Sequence, residues 1–295
     1  MNTQKYKGRF APSPTGPLHL GSLATALGSW LEARSRGGEW LVRIENIDEE
    51  RCKPEFTPLI LQALQAHGLA WDGEVWVQSQ RHAVYAHHLQ QLSEAGLVYP
   101  CACTRKEIDD ANAHRAFGEN RVYPGTCVEG MPAGRQARAI RFRCPSHAIE
   151  WHDHRLGLIQ DHLQQSSGDF VLKRGDGFWA YHLVVVVDDM LSGVTHIVRG
   201  EDLADTTARQ IALYRAFNAQ TPQYWHLPVI LAEDGQKLSK QTGAKALDLS
   251  HPLDNLNKVW THLGYEPICP LANGTSRPTP ADWLNAALRV WRRSR

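Results

Sequence analysis

The feature that most constrains the fold is a regular alternation of strand and helix patterns over the first hundred residues. Strand-like segments at 6–11 and 40–44 are each followed by apolar residues at helical spacing, over 20–36 and 54–67. Gly37 suits the left-handed position that ends a helix. Strands alternating with helices pair in parallel through crossover connections. The sequence therefore predicts an α/β fold with a parallel sheet.

The pattern changes at about residue 100. A capping-box pattern from Thr104 to Glu107 predicts a short helix, and an alternating strand pattern follows at 137–143. Strand-like pieces at 156–163 and 170–173 suggest a smaller inserted α+β domain with antiparallel character. The α/β pattern returns at about 179, with strands at 195–198 and 226–231 and helices at 204–217, 252–263 and 280–293. We therefore expect a discontinuous α/β domain over 1–99 and 179–245, an inserted domain over 100–178, and a short helical C-terminal segment over 246–295.

Composition excludes several classes of protein. Hydrophobic residues make up 42% and charged residues 21% of the 295 residues, which excludes wholesale disorder. The apolar run Leu183–Val187 is far shorter than the ~18 residues of a membrane span, and the first residues do not resemble a signal peptide. We expect a cytoplasmic protein without membrane association. The net charge of +1 gives no evidence for a polyanionic partner, although a local basic patch is compatible with it.

The most informative stretch, residues 9–22, runs from a strand through a Pro- and Gly-containing loop into a helix that bears His19 and Gly21. A helix N-terminus suits a phosphate, and a glycine lets a nucleotide approach the backbone. A histidine there can donate to a phosphate whose charge grows during attack. An ordinary turn with a helix cap is the alternative interpretation.

A second stretch, residues 234–241, places Lys237 and Lys240 on either side of Ser239 in a glycine-containing loop. Two such lysines can neutralise a triphosphate. Standing alone, the same pattern is typical of a solvated basic turn.

Together and in this order, the two stretches resemble the paired signatures of class I aminoacyl-tRNA synthetases, which implies a Rossmann-type sheet. The first signature matches His19-Leu20-Gly21-Ser22 and the second Lys237-Leu238-Ser239-Lys240-Gln241. Three further motifs resemble glutamyl- and glutaminyl-type enzymes: Arg9 to Gly16, Arg43 to Asp48 and Val198 to Asp202. Ser22 departs from the pattern, because many relatives carry histidine there.

Only 54 residues follow Gln241, whereas a separate anticodon-reading domain needs on the order of 100. With Ser22 and the cysteine-rich insert, the chain resembles the glutamyl-queuosine tRNA(Asp) synthetases, a truncated glutamyl-type family. The resemblance implies ATP-dependent activation of L-glutamate and transfer to queuosine in the anticodon loop of tRNA(Asp), by an enzyme that we expect to be monomeric. The alternatives are a glutamyl- or glutaminyl-type enzyme that charges a tRNA 3′ end, an idle zinc-containing RNA-binding paralogue, and a small-molecule adenylyltransferase.

The resemblance also implies roles that the chemistry supports. The guanidinium groups of Arg9 and Arg199 suit the side-chain carboxylate of glutamate, Glu45 suits its ammonium, and Tyr181 adds a hydroxyl. Magnesium is expected with ATP. The implied glutamate-binding set is Arg9, Phe10, Ala11, Pro12, Ser13, Glu45, Tyr181 and Arg199; the ATP-binding set is His19, Gly21, Ser22 and Lys240; the catalytic set is His19, Lys240 and Lys237. The alternatives are surface ion pairs for the charged residues and a core position for the tyrosine.

Three of the six cysteines, Cys101, Cys103 and Cys127, fall within 27 residues. Thiolates are good zinc ligands, and a structural zinc site needs four ligands. The resemblance suggests Tyr123 as the fourth ligand of one structural zinc ion. Rival ligands are Cys144, His114 and His147, and the alternative is that the cysteines pack as small hydrophobic residues.

Two basic stretches could contact RNA phosphates, although a charge run is often a solvated face. They comprise Arg135, Arg138, Arg141 and Arg143 in the insert, and Arg289, Arg292, Arg293 and Arg295 at the C-terminal end.

Overall fold

The computed structural model describes residues 5–116, 119–230, 245–269 and 278–293. The strands are β1 (Lys7–Phe10), β2 (Glu39–Ile44), β3 (Trp76–Val77), β4 (Val98–Cys101), β5 (Ala139–Phe142), β6 (Ile149–Asp153), β7 (Gly157–Asp161), β8 (Val171–Arg174), β9 (His196–Gly200) and β10 (Gln223–Leu227). The helices are α1 (Leu20–Ser35), α2 (Phe56–Ala66), α3 (His82–Glu94), α4 (Arg105–Ala111), α5 (Leu163–Ser166), α6 (Tyr181–Leu191), α7 (Thr207–Ala216), α8 (Pro252–His262) and α9 (Pro280–Arg293).

The chain forms two compact units, each discontinuous in sequence. The first comprises Met1–Ser79, Val194–Ala204 and Pro222–Arg295, and the second comprises Gln80–Gly193 and Asp205–Thr221. The domain boundaries expected from the sequence stay predictions.

The first unit contains the parallel strand pairing that the sequence predicts, and these pairs belong to two sheets. β2 pairs in parallel with both β1 and β3, and β9 pairs in parallel with β10. The backbone N–H of Thr195 donates to the Lys7 carbonyl at 2.9 Å, which holds the start of β9 beside β1. Helices α1, α8 and α9 contribute to a core that includes the buried indoles of Trp40, Trp260 and Trp283. The predicted α/β fold with parallel strand pairing is therefore confirmed.

The second unit contains antiparallel strand pairs. β5 pairs with β4 and β8, and β6 forms a hairpin with β7. Thr104 caps α4, and both hydrogen bonds of its capping box with Glu107 are present. The carboxylate of Asp188 is fully buried, and it accepts hydrogen bonds from Arg81 and Tyr85, each at 2.8 Å.

One strand expected from the sequence has different limits in the structure. The strand expected over 226–231 instead occupies Gln223–Leu227, because Pro228 has no backbone N–H to continue the ladder. The apolar run Leu183–Val187 lies inside α6, and all five of its side chains are buried. No helix among the described residues is long and apolar enough to cross a membrane.

Candidate functional site

Three charged side chains that the sequence singles out lie at the carboxyl ends of neighbouring parallel strands. Arg9 lies near the end of β1, Glu45 directly follows β2, and Arg199 lies near the end of β9. Their side chains are only 4%, 7% and 3% exposed, respectively. Ligands of open α/β sheets bind outside the carboxyl ends of the strands, at the point where connections diverge. The fold thus brings these three residues to the edge where such a site forms.

The Glu45 carboxylate has a buried partner that sequence reasoning did not assign. An Nη2 donor of Arg43 lies 2.9 Å from Glu45 Oε1, and the arginine is 3% exposed. A buried carboxylate without a cation is costly, so this pair offsets part of the cost of burying Glu45. Both residues belong to the same sequence motif. Side chains two positions apart on an extended segment point to the same side, so the sequence could have indicated this pair.

Arg199 has a similar neighbour from the adjacent strand. Its Nε donates to Nε2 of the fully buried His226 at 3.0 Å, and its guanidinium lies 5.3 Å from the centre of the Tyr224 ring. Because Nε2 accepts, the neutral imidazole carries its proton on Nδ1. Neither neighbour was predicted. The register of β9 and β10 sets His226 directly opposite Arg199 and so brings the two side chains together.

The loop after β1 is tied to the segment after β2 by backbone hydrogen bonds. The Pro12 carbonyl accepts from the backbone N–H of Glu45, and the Pro14 carbonyl from that of Lys53, both at 3.0 Å. In the predicted glutamate-binding stretch, Phe10 is buried, Ala11 and Pro12 are half-buried and Ser13 is exposed. The loop and Glu45 are therefore held at a fixed separation.

His19 is the N-cap of α1, so the helix begins one residue after it, at Leu20. Its Nδ1 accepts a hydrogen bond from the backbone N–H of Ser22 at 3.4 Å. The neutral ring then carries its proton on Nε2, which is the tautomer needed to donate to an anion. Gly21 and Ser22 lie in the first helical turn, where backbone N–H groups have no helical acceptor.

The remaining predicted residues belong to other parts of the chain. Lys237 and Lys240 lie outside the described residues. Tyr181 belongs to the second unit, where it is the half-buried first residue of α6.

The three clustered cysteines come together in the second unit. The Sγ atoms of Cys101, Cys103 and Cys127 all lie within 4.8 Å of one another, and all three residues are buried. Cys103 and Cys127 Sγ are 3.7 Å apart. Ligands about 2.3 Å from a tetrahedral zinc ion lie about 3.8 Å from each other, so these thiols fit a zinc site.

The Tyr123 hydroxyl lies beside the cysteines, 3.4 Å from Cys101 Sγ and 3.9 Å from Cys103 Sγ. Burial raises the pKa of the Tyr123 phenol and also that of the Cys103 thiol. Burial acts on Cys101 too, but hydrogen bonding with Tyr123 and Arg141 leaves the pKa of that thiol below its ordinary value. A bound divalent cation reverses such burial effects, because it stabilises the anionic ligands.

The rival ligands are not part of this cluster. The Cys144 thiol donates to the Gly168 carbonyl at 3.1 Å, and burial raises the pKa of that thiol to about 12. Among the described residues, His114 and His147 do not join the metal-ligating group either.

Comparisons with known proteins identify the family of this chain. The family model described as tRNA synthetases class I (E and Q), catalytic domain, matches residues 5–257. A protein from Janthinobacterium sp. (strain Marseille) named Glutamyl-Q tRNA(Asp) synthetase is 53% identical over 262 residues, covering 87% of this chain and 89% of its own length. A protein of the same name from Cupriavidus metallidurans is 50% identical over 293 residues, covering 98% and 92%.

Among solved structures, a glutamate tRNA ligase from Elizabethkingia meningosepticum in complex with its amino acid superposes with a TM-score of 0.76 at 26% identity. The match covers 95% of this chain and 64% of that one, so this chain spans less than two thirds of that ligase. A methionyl-tRNA synthetase from Mycobacterium tuberculosis, at 13% identity and a TM-score of 0.55, shares the fold.

Proposed function

Since the chain belongs to the class I tRNA synthetase family of E and Q type, and within it to the glutamyl-Q tRNA(Asp) synthetases, we propose that it activates L-glutamate with ATP and transfers it to queuosine in the anticodon loop of tRNA(Asp). The observation that carries the proposal is that two buried guanidinium groups, Arg9 and Arg199, and one buried carboxylate, Glu45, lie at the carboxyl ends of β1, β9 and β2 in the first unit. An amino acid with a second carboxylate has the complementary charges.

In this proposal Arg9 and Arg199 bind the side-chain carboxylate of glutamate, because a guanidinium pairs with a carboxylate in a two-pronged geometry. Glu45 receives the ammonium, and Tyr181 adds a hydroxyl. The hydrogen bond from Arg199 to His226 restricts the rotation of the guanidinium before substrate arrives. A guanidinium held in place in this way favours glutamate over glutamine. The side-chain amide of glutamine is neutral, so it would leave the buried cation without a counter-charge.

In the activation step, an oxygen of the glutamate α-carboxylate bonds to the α-phosphorus of ATP, and the bond to the β-phosphate oxygen breaks. Pyrophosphate leaves with that electron pair, so no protein nucleophile is needed. His19 donates from Nε2 to an α-phosphate oxygen, Lys240 and Lys237 neutralise the pyrophosphate, and magnesium arrives with ATP. A queuosine hydroxyl then attacks the activated carbonyl carbon and releases AMP.

We also propose that Cys101, Cys103, Cys127 and Tyr123 hold one structural zinc ion. The distances among the four ligand atoms support it, and the ion would supply cross-links within the second unit rather than chemistry. A monomeric state and a location in the cytoplasm remain predictions from the sequence.

Two assays test the proposed function. Glutamate should support ATP–pyrophosphate exchange, and glutamine about ten- to a hundredfold less. Labelled glutamate should then appear on tRNA(Asp) that bears queuosine and not on the same tRNA without it, and the label should persist after the 3′-terminal adenosine is removed enzymatically.

Equal exchange with glutamine would remove the glutamate assignment. Label that disappears with the terminal adenosine and does not depend on queuosine would identify a 3′-end synthetase instead. Absence of exchange with any amino acid would favour an idle RNA-binding paralogue.

A further inference from the structure

The second unit contains a cavity of about 1030 Å³ next to the cysteine cluster. Cys103 contributes to its wall, and so do six arginines but only two aspartates. The charged lining residues are Arg105, Arg121, Arg135, Arg138, Arg141, Arg174, Asp109 and Asp176. Ligand pockets rarely exceed about 1,000 Å³, so this cavity suits an extended anion rather than a single small ion.

Three of the six arginines are neutralised locally. Arg121 Nε lies 2.8 Å from Asp109, Arg174 contacts Asp176, and Arg135 reaches Glu107 at 2.7 Å. Within the described parts of the chain, no carboxylate pairs with Arg105 or Arg138, which are both exposed. These two cations are therefore available to a ligand.

Arg141 adds a third cation, fixed in the cavity wall. It is 7% exposed, its guanidinium lies 3.8 Å from the centre of the Tyr123 ring, and Nη1 donates to the Asp169 carbonyl at 2.7 Å. Its buried Nε has no hydrogen-bond partner among the described residues. Arg141 also hydrogen-bonds the Cys101 thiol, but among the described residues it forms no ion pair with a carboxylate, so its guanidinium adds positive charge to the cavity wall.

The backbone around Arg138 is held firmly against the cysteine cluster. The Arg138 N–H donates to the Cys101 carbonyl at 2.8 Å, and the Arg138 carbonyl accepts from Gly175 N–H at 2.6 Å. A Cβ at Gly175 would lie 2.7 Å from that carbonyl oxygen, so the close approach requires glycine. Arg138 therefore projects from a rigid site beside the proposed zinc ligands.

We propose that this arginine-lined cavity binds backbone phosphates of the anticodon arm of tRNA, with Arg105 and Arg138 making the contacts. The inference rests on the proposed function, which requires an RNA substrate. Arginine is suited to phosphate because its planar fork donates two parallel hydrogen bonds. Contacts to phosphates carry no base information, so the cavity positions the RNA and leaves recognition of queuosine to other groups.

The experiment compares Arg105→Ala, Arg138→Ala and Arg138→Lys with Lys106→Ala, which removes an exposed cation one position from Arg105 and outside the cavity lining. Binding of an anticodon-arm hairpin of tRNA(Asp), with an acceptor-arm hairpin in parallel, is measured at several salt concentrations. Each alanine variant should weaken binding of the anticodon-arm hairpin about tenfold and reduce the salt slope by about 0.7–0.9. Arg138→Lys should retain most of the salt slope, and Lys106→Ala should bind as wild type.

Glutamate-dependent exchange, measured on the same preparations, should be unchanged, which shows that the variants are folded. Equal affinity and salt slope for all four variants would overturn the cavity proposal, and so would preference for the acceptor-arm hairpin. If the variants weaken binding of the anticodon-arm hairpin but wild type transfers no glutamate to queuosine, the cavity proposal stands and the proposed function fails.

Discussion

The two units each bury a polar cluster, and the clusters differ in how their members are satisfied. In the first unit the charged groups already have protein partners, since Arg43 pairs with Glu45 and Arg199 donates to His226. In the second, the Cys103 thiol contacts the Tyr123 hydroxyl and the Cys127 thiol. A cluster with internal partners can keep its shape without a ligand. A cluster of thiols at zinc-ligand spacing would instead be held together by the proposed ion.

The clusters also differ in how far apart their members lie in the chain. The proposed zinc ligands fall between Cys101 and Cys127, whereas Arg9, Glu45 and Arg199 come from three separate segments. Ligand release should therefore affect the units differently. Loss of glutamate should leave the first unit folded, and loss of zinc should loosen the second.

The largest expected effect is on Arg199. Replacement by alanine should reduce kcat/KM for glutamate in pyrophosphate exchange by about a hundred- to a thousandfold, because it removes one partner of a buried charge pair with the substrate. Arg51→Lys, at an exposed ion pair with Asp48 in the same unit, is the control. An unchanged kcat/KM in a folded Arg199→Ala protein would contradict the glutamate site.

The second prediction tests whether the other cluster depends on its ion. Cys127→Ser should release the zinc and lower the melting temperature of the second unit, while exchange by the first unit is largely retained. Zinc is measured by elemental analysis of protein purified without chelator, and Cys144→Ser serves as the control because that thiol lies outside the cluster. Wild-type protein without zinc would show that the cysteines are packing residues only.

A smaller effect is expected for Tyr123→Phe. If the phenol is the fourth ligand, zinc affinity measured by chelator competition should fall about tenfold or more, because one ligand position opens to water. Full affinity in the variant would show that another group completes the site, and it would leave the three cysteines as ligands.

The smallest effect is expected for His226→Gln, which changes the neighbour of Arg199 without touching the substrate. KM for glutamate should rise about three- to tenfold with less change in kcat, because the lost hydrogen bond orients the guanidinium. His262→Gln, in α8 of the same unit, is the control. A wild-type KM would show that the hydrogen bond between Arg199 and His226 does not position the arginine.

Much of the fold was readable from the sequence. The parallel sheet, the limits of α1 and α9, and both hydrogen bonds of the Thr104 capping box match the expectations. These features depend on hydrophobic period and backbone capping, which are properties of neighbouring residues. The cysteine cluster is also local, so the sequence could identify it as a candidate metal site.

The helix α6 shows where such local signals end. All five residues of its segment Leu183–Val187 are buried, so the segment has no polar face and shows no helical periodicity of hydrophobic and polar residues. Its valines have a high propensity for strands. Tertiary packing decided that it is helical.

The sequence by itself identified Arg9, Glu45 and Arg199 as candidates, through motifs that each occupy one short segment. Only the tertiary structure supplied Arg43 and His226 as their buried partners, and only folding of the insert set Arg105, Arg138 and Arg141 around one cavity. The physical reason is that a motif encodes its own backbone conformation. The pairing of His226 with Arg199 depends instead on the register of two strands separated by a helix, and that register is set by the packing of the whole unit.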